Sequence, residues 1–182
     1  ECGVAMEFSL GCDFHFSFDN IQSALHDPHH YCISKTDFLL VEFSDFAISP
    51  NTADTLHTFV EMGITPVLTH PERNAILQKK QELVLTFVEL GCIVQVTANS
   101  MTGFWGERPR KAAEWLLDRD CVHVIASDAH DLQRRPPIMS AARALLTQRY
   151  GAELATALCE QNPRAVVENQ HLPYLPEPRR KK

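Results

Sequence analysis

Five short runs of apolar, β-favouring residues punctuate the chain, at 4–12, 37–43, 64–69, 92–97 and 121–127. The stretches between them place apolar residues at helical spacing. Residues 51–62 follow Ser49-Pro50 and bring Leu56, Phe59 and Val60 to one face. Residues 78–90 gather Leu83, Val84, Phe87 and Val88 and stop at Gly91, a suitable carboxyl-terminal cap. Residues 107–119 collect Ala112, Ala113, Leu116 and Leu117, and 138–150 continue the theme. Beyond Tyr150 the pattern predicts two short helices, 152–160 and 163–169, then a Pro-rich extended and peripheral segment, 172–178. Such alternation predicts an α/β protein with a parallel sheet or barrel, because parallel strands need long crossovers.

The polar residues that interrupt this pattern share its period. Asp13, Glu42, His70, Asn99 and Asp128 are separated by 29, 28, 29 and 29 residues, each expected at or just after the carboxyl end of a strand. In β/α barrels and in open parallel sheets alike, sites are built at that end. Five units are too few to close a typical barrel, so either the sheet is open or strands are missing at the amino end.

At 182 residues the chain suits one domain, expected over 1–170, with an extended basic tail at 171–182. The formal charge of -6 argues against a general nucleic-acid binder, which needs a basic face. Arg179, Arg180, Lys181 and Lys182 read as a solvated, disordered end. The six cysteines are scattered without a CxxC pair and several sit in apolar runs, which predicts reduced, buried thiols and a cytoplasmic setting. No apolar run reaches membrane-spanning length and no signal peptide is visible. The chain opens on Glu1 and enters a strand-like run almost at once, as though something before it were absent.

The richest chemistry lies in Ser127-Asp128-Ala129-His130-Asp131. Asp128 and His130, two apart at a strand end, point the same way and suit Zn²⁺, Mn²⁺ or Fe²⁺. Asp131 is assigned instead to capping the next helix. His70, kept out of helix by Pro71, pairs a candidate ligand with Arg73, whose planar donors suit a phosphate. Glu72 reads as a salt-bridge partner or a helix amino-terminal charge. Glu42 interrupts an apolar strand, and a carboxylate there needs a cation, either a metal or a basic side chain. Asp13 ends the first run, and His15 is either a ligand or a neighbour on its face. Arg134-Arg135 follows as an anion clamp or an exposed basic turn, with one of the two pointing inward. Residues 97–103 are either substrate contacts or an ordinary polar loop. His123 alternates with apolar residues inside a strand and is expected to face a helix or the barrel exterior. Cys159 and Arg164 are one residue too close for a cysteine-phosphatase loop, and no GxxxxGK[ST], GxGxxG or GxSxG motif is present.

Gly11-x-Asp13, Val41-Glu42-Phe43, His70-Pro71-Glu72-Arg73-Asn74 and Ala126-Ser127-Asp128-Ala129-His130, in this order, resemble the polymerase-and-histidinol-phosphatase (PHP) superfamily. The third and fourth segments, HPERN and ASDAH, with the later Arg135, are most similar to its bacterial tyrosine-phosphatase branch, the CpsB/CapC type of exopolysaccharide operons. The resemblance implies a distorted (β/α)7 barrel with up to three metal ions, Mn²⁺ above all, with Fe²⁺, Zn²⁺ and Mg²⁺ as alternatives. It implies that Asp13, Glu42, His70, Asp128 and His130 are metal ligands and that Arg73 and Arg135 bind phosphate. The implied reaction is attack of a metal-bound hydroxide on phosphotyrosine in the tail of a capsule-assembly kinase, in the cytoplasm, with no nucleic acid, no membrane insertion and a homo-oligomer left open.

Two departures accompany it. The family carries Glu where this chain has Asp13, a side chain shorter by one carbon. The family also begins with a His-x-His strand, an Asp and a further His, none of which is in this chain, so the expectation is an amino-terminally incomplete domain. A PHP phosphatase of a small molecule such as histidinol phosphate is one alternative function; a catalytically inactive homologue serving as a binding scaffold is another.

Overall fold

The computed structural model describes residues 7–180. Within them five strands form one all-parallel sheet in chain order: β1 (Phe14–His15), β2 (Phe38–Glu42), β3 (Thr65–Thr69), β4 (Ile93–Thr97) and β5 (Val124–Ala126). Sequential parallel order means that every crossover winds the same way, so one sheet face receives the helices and the other is left to curve around itself. The side chains divide accordingly. Leu39, Val41, Leu68, Val94, Val96 and Ile125 join the large core with Leu56 and Phe59 of α2 (Thr52–Glu61), Val84, Leu85 and Phe87 of α3 (Glu82–Glu89), and Leu116 of α5 (Glu107–Leu117). The opposite face has a small apolar plug at the strands' amino ends, where Phe38, Val67, Ile93 and Val124 meet Val166 of α8 (Asn162–Val167). Toward the carboxyl ends that face turns polar.

The first strand lies elsewhere than the pattern predicts. Residues 4–6 fall outside the described residues, and 7–12 carry no strand. The side chains of Phe8 and Leu10 stay exposed, and pairing starts only where Phe14 can bury, edge-on to Phe16, Tyr31 and Phe59. Asp13 therefore precedes β1 instead of ending it. Two helices were not expected: α1 (Phe18–His26), whose cap Ser17 accepts from the Asn20 N–H at 3.4 Å, and the single turn α4 (Ala98–Met101). The later helices α6 (Ser140–Tyr150) and α7 (Ala152–Thr156) sit where expected, and a π-helical turn at Ala157–Gln161 joins α7 to α8.

The segment after α8 is extended and peripheral, as its prolines predict, and it is tied back to the domain. Buried Asn162 donates to Tyr174 O at 2.7 Å and accepts from the Tyr174 N–H at 3.0 Å. Further on, Arg179 pairs with Asp120, and Arg180 grips Glu89 with two bonds of 2.7 Å. Acidic groups on α3 and beside α5 thus fix the part of the basic stretch that is described; Lys181 and Lys182 lie outside it. The cysteines Cys12, Cys32, Cys92, Cys121 and Cys159 are free thiols, and burial pushes Cys92 and Cys121 up to about 12. Among the described residues no helix is long and apolar enough to cross a membrane.

His123 is tied to the neighbouring strand β4. It is buried, and its Nδ1 accepts the Val94 N–H at 3.1 Å while its backbone N–H donates to Val94 O at 3.0 Å, so the side chain substitutes for a ladder carbonyl. Burial holds its pKa at about 4, against a hydrogen bond with the Cys121 backbone that acts in the opposite direction. The unfolded chain takes up this proton near pH 6.5 and the folded one only near 4, so acid favours the unfolded state across that window. Stability measured by urea titration should fall by on the order of 3 kcal/mol from this residue between about pH 7 and pH 4. The substitution His123→Gln should flatten that slope; an unchanged slope would show that the imidazole is not held neutral.

Candidate metal centre

Three of the predicted residues meet at the carboxyl end of the sheet. Glu42 ends β2, His70 follows β3 directly, and Asp13 reaches up from just below β1. One ligand atom from each lies within 4.8 Å of the others, and His70 Nε2 is 3.4 Å from Glu42 Oε1. Burial, and after it the Arg73 guanidinium, push the His70 imidazole below its usual pKa; Asp128, Glu42 and Asp13 pull the other way. An imidazole kept neutral offers a lone pair, and two carboxylates beside it make a donor set that suits a divalent ion. His15, level with Glu42 in the sheet register, is exposed and outside this triad.

The second cluster is anionic recognition chemistry. Asp128 Oδ2 accepts from Arg73 NH1 at 2.6 Å and also from Arg135 NH2, so two guanidiniums converge on one oxygen. His130 stands beside them, exposed, its Nδ1 3.0 Å from Asp128 O and 3.7 Å from Asp128 Oδ1. Asp128 and His130 are outside the triad, yet they line with Asp13, Thr69, His70 and Gln95 one cavity of about 350 Å³. Arg134 is exposed, so Arg135 is the inward member of the pair. Asp131 caps no helix. Its Oδ1 accepts the N–H groups of Gln133, Arg134 and Arg135, closing the turn that delivers Arg135 to the site.

Both clusters rest on strained backbone. His70 has φ +35 and Asp128 φ +51, a left-handed region that costs non-glycine residues about 1–2 kcal/mol each. Three polar side chains, Gln95, Asn74 and Glu72, restrain the loop that carries His70. Gln95, on β4, accepts the His70 N–H at 3.1 Å. Asn74 donates to Phe43 O and Ser44 O at 3.2 and 3.1 Å and accepts from Ile76 and Leu77, tying the loop to the end of β2. Glu72 is fully buried and forms no salt bridge: its Oε1 accepts from Ser100 Oγ at 2.7 Å and from the Thr97 N–H at 3.0 Å, at the amino end of α4. Thr97 and Ser100 are therefore buried struts, which removes them as substrate contacts. Gln95 carried the same signal as Glu42, a polar residue alternating into an apolar strand.

A family model described as "Capsular polysaccharide synthesis, CpsB/CapC" matches residues 1–168. The tyrosine-protein phosphatase CpsB of Streptococcus pneumoniae is 32% identical over 167 residues, covering 89% of this chain and 68% of that protein. The tyrosine-protein phosphatase YwqE of Bacillus subtilis is 31% identical over 153 residues, covering 82% of this chain and 59% of that protein. A solved chain from the crystal structures of YwqE and CpsB, described as metal-dependent tyrosine phosphatases, superposes with TM-score 0.81 at 25% identity, over 91% of this chain and 67% of that one. This chain spans 59% of YwqE and 68% of the pneumococcal CpsB.

Glu72 gives the loop's support a direct test. Burial raises its carboxyl to about 7, against the hydrogen bonds from Ser100 and Thr97 that lower it. A folded pKa above the unfolded value means that stability falls as pH rises from about 4.5 to about 7. In chelated protein, Glu72→Ala should cost about 2–4 kcal/mol, because it leaves a buried N–H and hydroxyl unpaired beside a cavity. Glu72→Gln should keep the Oε1 acceptor, remain folded and lose that pH dependence. Equal damage from both substitutions, in thermal melts at pH 5 and pH 8, would show that the hydrogen bonds are not what holds the loop.

Proposed function

This chain belongs to the CpsB/CapC family of capsular polysaccharide synthesis proteins, and on that premise we propose that it is a metal-dependent phosphatase of phosphotyrosine in protein. The substrate we assign is the tyrosine-rich tail of a capsule-assembly kinase, met in the cytoplasm. The observation that carries the reading is the convergence of Arg73 and Arg135 on one carboxylate oxygen beside the Asp13, Glu42 and His70 triad.

Two guanidiniums aimed at one oxygen form a ready-made anion fork, and a phosphoryl group offers them several oxygens of the same kind. Charge on those oxygens is redistributed as the phosphorus is transferred, so donors fixed beforehand stabilise the transition state without reorganising. Asp13, Glu42, His70, Asp128 and His130 are the residues we assign to divalent ions, Mn²⁺ first among them. Such an ion, when bound, supplies Lewis-acid charge and acidifies the water it meets. Engagement of Asp128 by an ion would weaken its hold on the two arginines and leave their donors to the substrate. His70, kept neutral by burial, contributes its lone pair without first losing a proton. Tyrosine leaves as a phenolate with a pKa of about 10, a far smaller demand for protonation than an alkoxide makes.

Hydrolysis of a phosphotyrosine peptide should vanish on chelation and return with Mn²⁺. His70→Ala should abolish it, while Arg73→Ala and Arg135→Ala should each lower kcat/KM by roughly 10²–10³-fold. Rapid turnover of histidinol phosphate with the peptide untouched would replace this reading by a small-molecule phosphatase. Little bound metal and no Mn²⁺-stimulated hydrolysis would replace it by a binding scaffold.

A further inference from the structure

Arg73 and Arg135 share a second partner besides Asp128. The guanidinium carbon of Arg73 lies 4.8 Å from the centroid of the Trp105 ring, and that of Arg135 lies 5.6 Å from it. Both are within the range in which an indole face attracts a cation. Trp105 is carried by a tight turn after α4, in which Phe104 N–H donates to Asn99 O at 3.1 Å and Gly106 N–H to Gly103 O at 2.9 Å, with Gly103 and Gly106 at φ +81 and +91. Phe104 packs edge-on against the indole, 4.9 Å between centroids. The Trp105 Nε1 is buried with no hydrogen-bond partner, so the indole is not held there by its polar atom. A phenylalanine would avoid that orphaned donor; what tryptophan adds is the larger and more strongly attracting π face.

Two like charges brought together repel, and something must offset that repulsion when Asp128 is not available to do so. Among the described residues the side-chain partners of both guanidiniums are Asp128 and Trp105. A carboxylate competes with a phosphate for guanidinium N–H donors. An indole engages the π surface of the guanidinium and leaves the in-plane donors free. Trp105 is thus the partner that both arginines can keep while they bind an anion.

We propose that Trp105 is a positioning residue that fixes Arg73 and Arg135 as a single phosphate-binding fork. This rests on the phosphatase reading of the site. The test replaces Trp105 by tryptophans carrying one, two and three ring fluorines, which weaken the π face stepwise while preserving its shape. It is carried out in protein bearing Trp115→Phe, so that the labelled indole is the one at the site. Binding of inorganic phosphate to this protein is followed by calorimetry, beside Trp105→Phe and Trp105→Leu. Phosphate affinity should decline with each fluorine, by about tenfold across the series, with Trp105→Leu at least as weak and Trp105→Phe recovering part of the loss. Phosphate that binds with the same affinity across the fluorinated series would overturn the role of Trp105 and leave the phosphatase reading standing. Failure of the protein with unmodified tryptophan to bind phosphate at all would overturn both.

Discussion

Charge and polarity have to be buried on one face of a parallel sheet, and much of this structure follows from how that is done. Because the strands run in chain order, the helices cover one side and the opposite side is left with Glu42, Thr69, Gln95 and, just beyond the strand ends, His70 and Asp128. An unpaired carboxylate in such a place is expensive, and most polar atoms here have a counterpart, the Nε2 of Gln95 excepted. Glu42 faces His70, Asp128 faces two arginines, and Gln95 turns its carbonyl oxygen to a backbone N–H. The apolar plug at the other end of the same face does the opposite work, sealing the strand starts with Phe38, Val67, Ile93 and Val124. The polarity gradient along that face explains why the chemistry collects at the carboxyl end.

The gradient also explains the backbone strain. Had β3 continued, His70, one step past Thr69, would alternate back toward the helices. Instead, left-handed backbone at His70 and Asp128 marks sharp turns at the two places where the chain leaves the sheet beside the cavity. Such a geometry persists only where the surroundings over-determine it. Around His70 those surroundings are Gln95 on the backbone N–H, Asn74 across to the end of β2, and Glu72 across to β4 and α4. The loop between β3 and α3 is therefore anchored to both neighbouring strands, and it carries a candidate ligand and a candidate phosphate-binding arginine three residues apart.

The period of 28–29 residues makes most of this legible in the sequence, because it counts strand, helix and two connections and so marks the same point in each unit. Glu42, His70 and Asp128 were visible as polar breaks in apolar runs, and the helices as apolar stripes. The first strand was misplaced because apolar character alone cannot show whether a neighbour exists to pair with; Phe8 and Leu10 are apolar and exposed. Helix α1 has a recognisable cap in Ser17, but Phe18 points outward and blurs its apolar stripe. Glu72 conceals its burial for a deeper reason. Its partners, Thr97 and Ser100, lie 25 and 28 residues away, and no local pattern reveals a carboxyl that folding buries whole. The same holds for Arg179 and Arg180, whose acidic partners on α3 and beside α5 are set by tertiary docking alone.

Asp13 shows how closely reach and register are linked. In the sheet register His15 stands opposite Glu42, which leaves Asp13 one pleat nearer the apolar plug, level with Leu40. From that depth a short carboxylate still comes within 4.8 Å of the Glu42 and His70 ligand atoms. A longer acid at the same position would gain about one C–C bond of reach, so the geometry of this edge of the cluster depends on where β1 begins. That beginning is fixed by Phe14, buried among aromatic rings on the opposite face. The packing of one apolar ring against the helices therefore determines the depth from which the neighbouring carboxylate approaches the cluster.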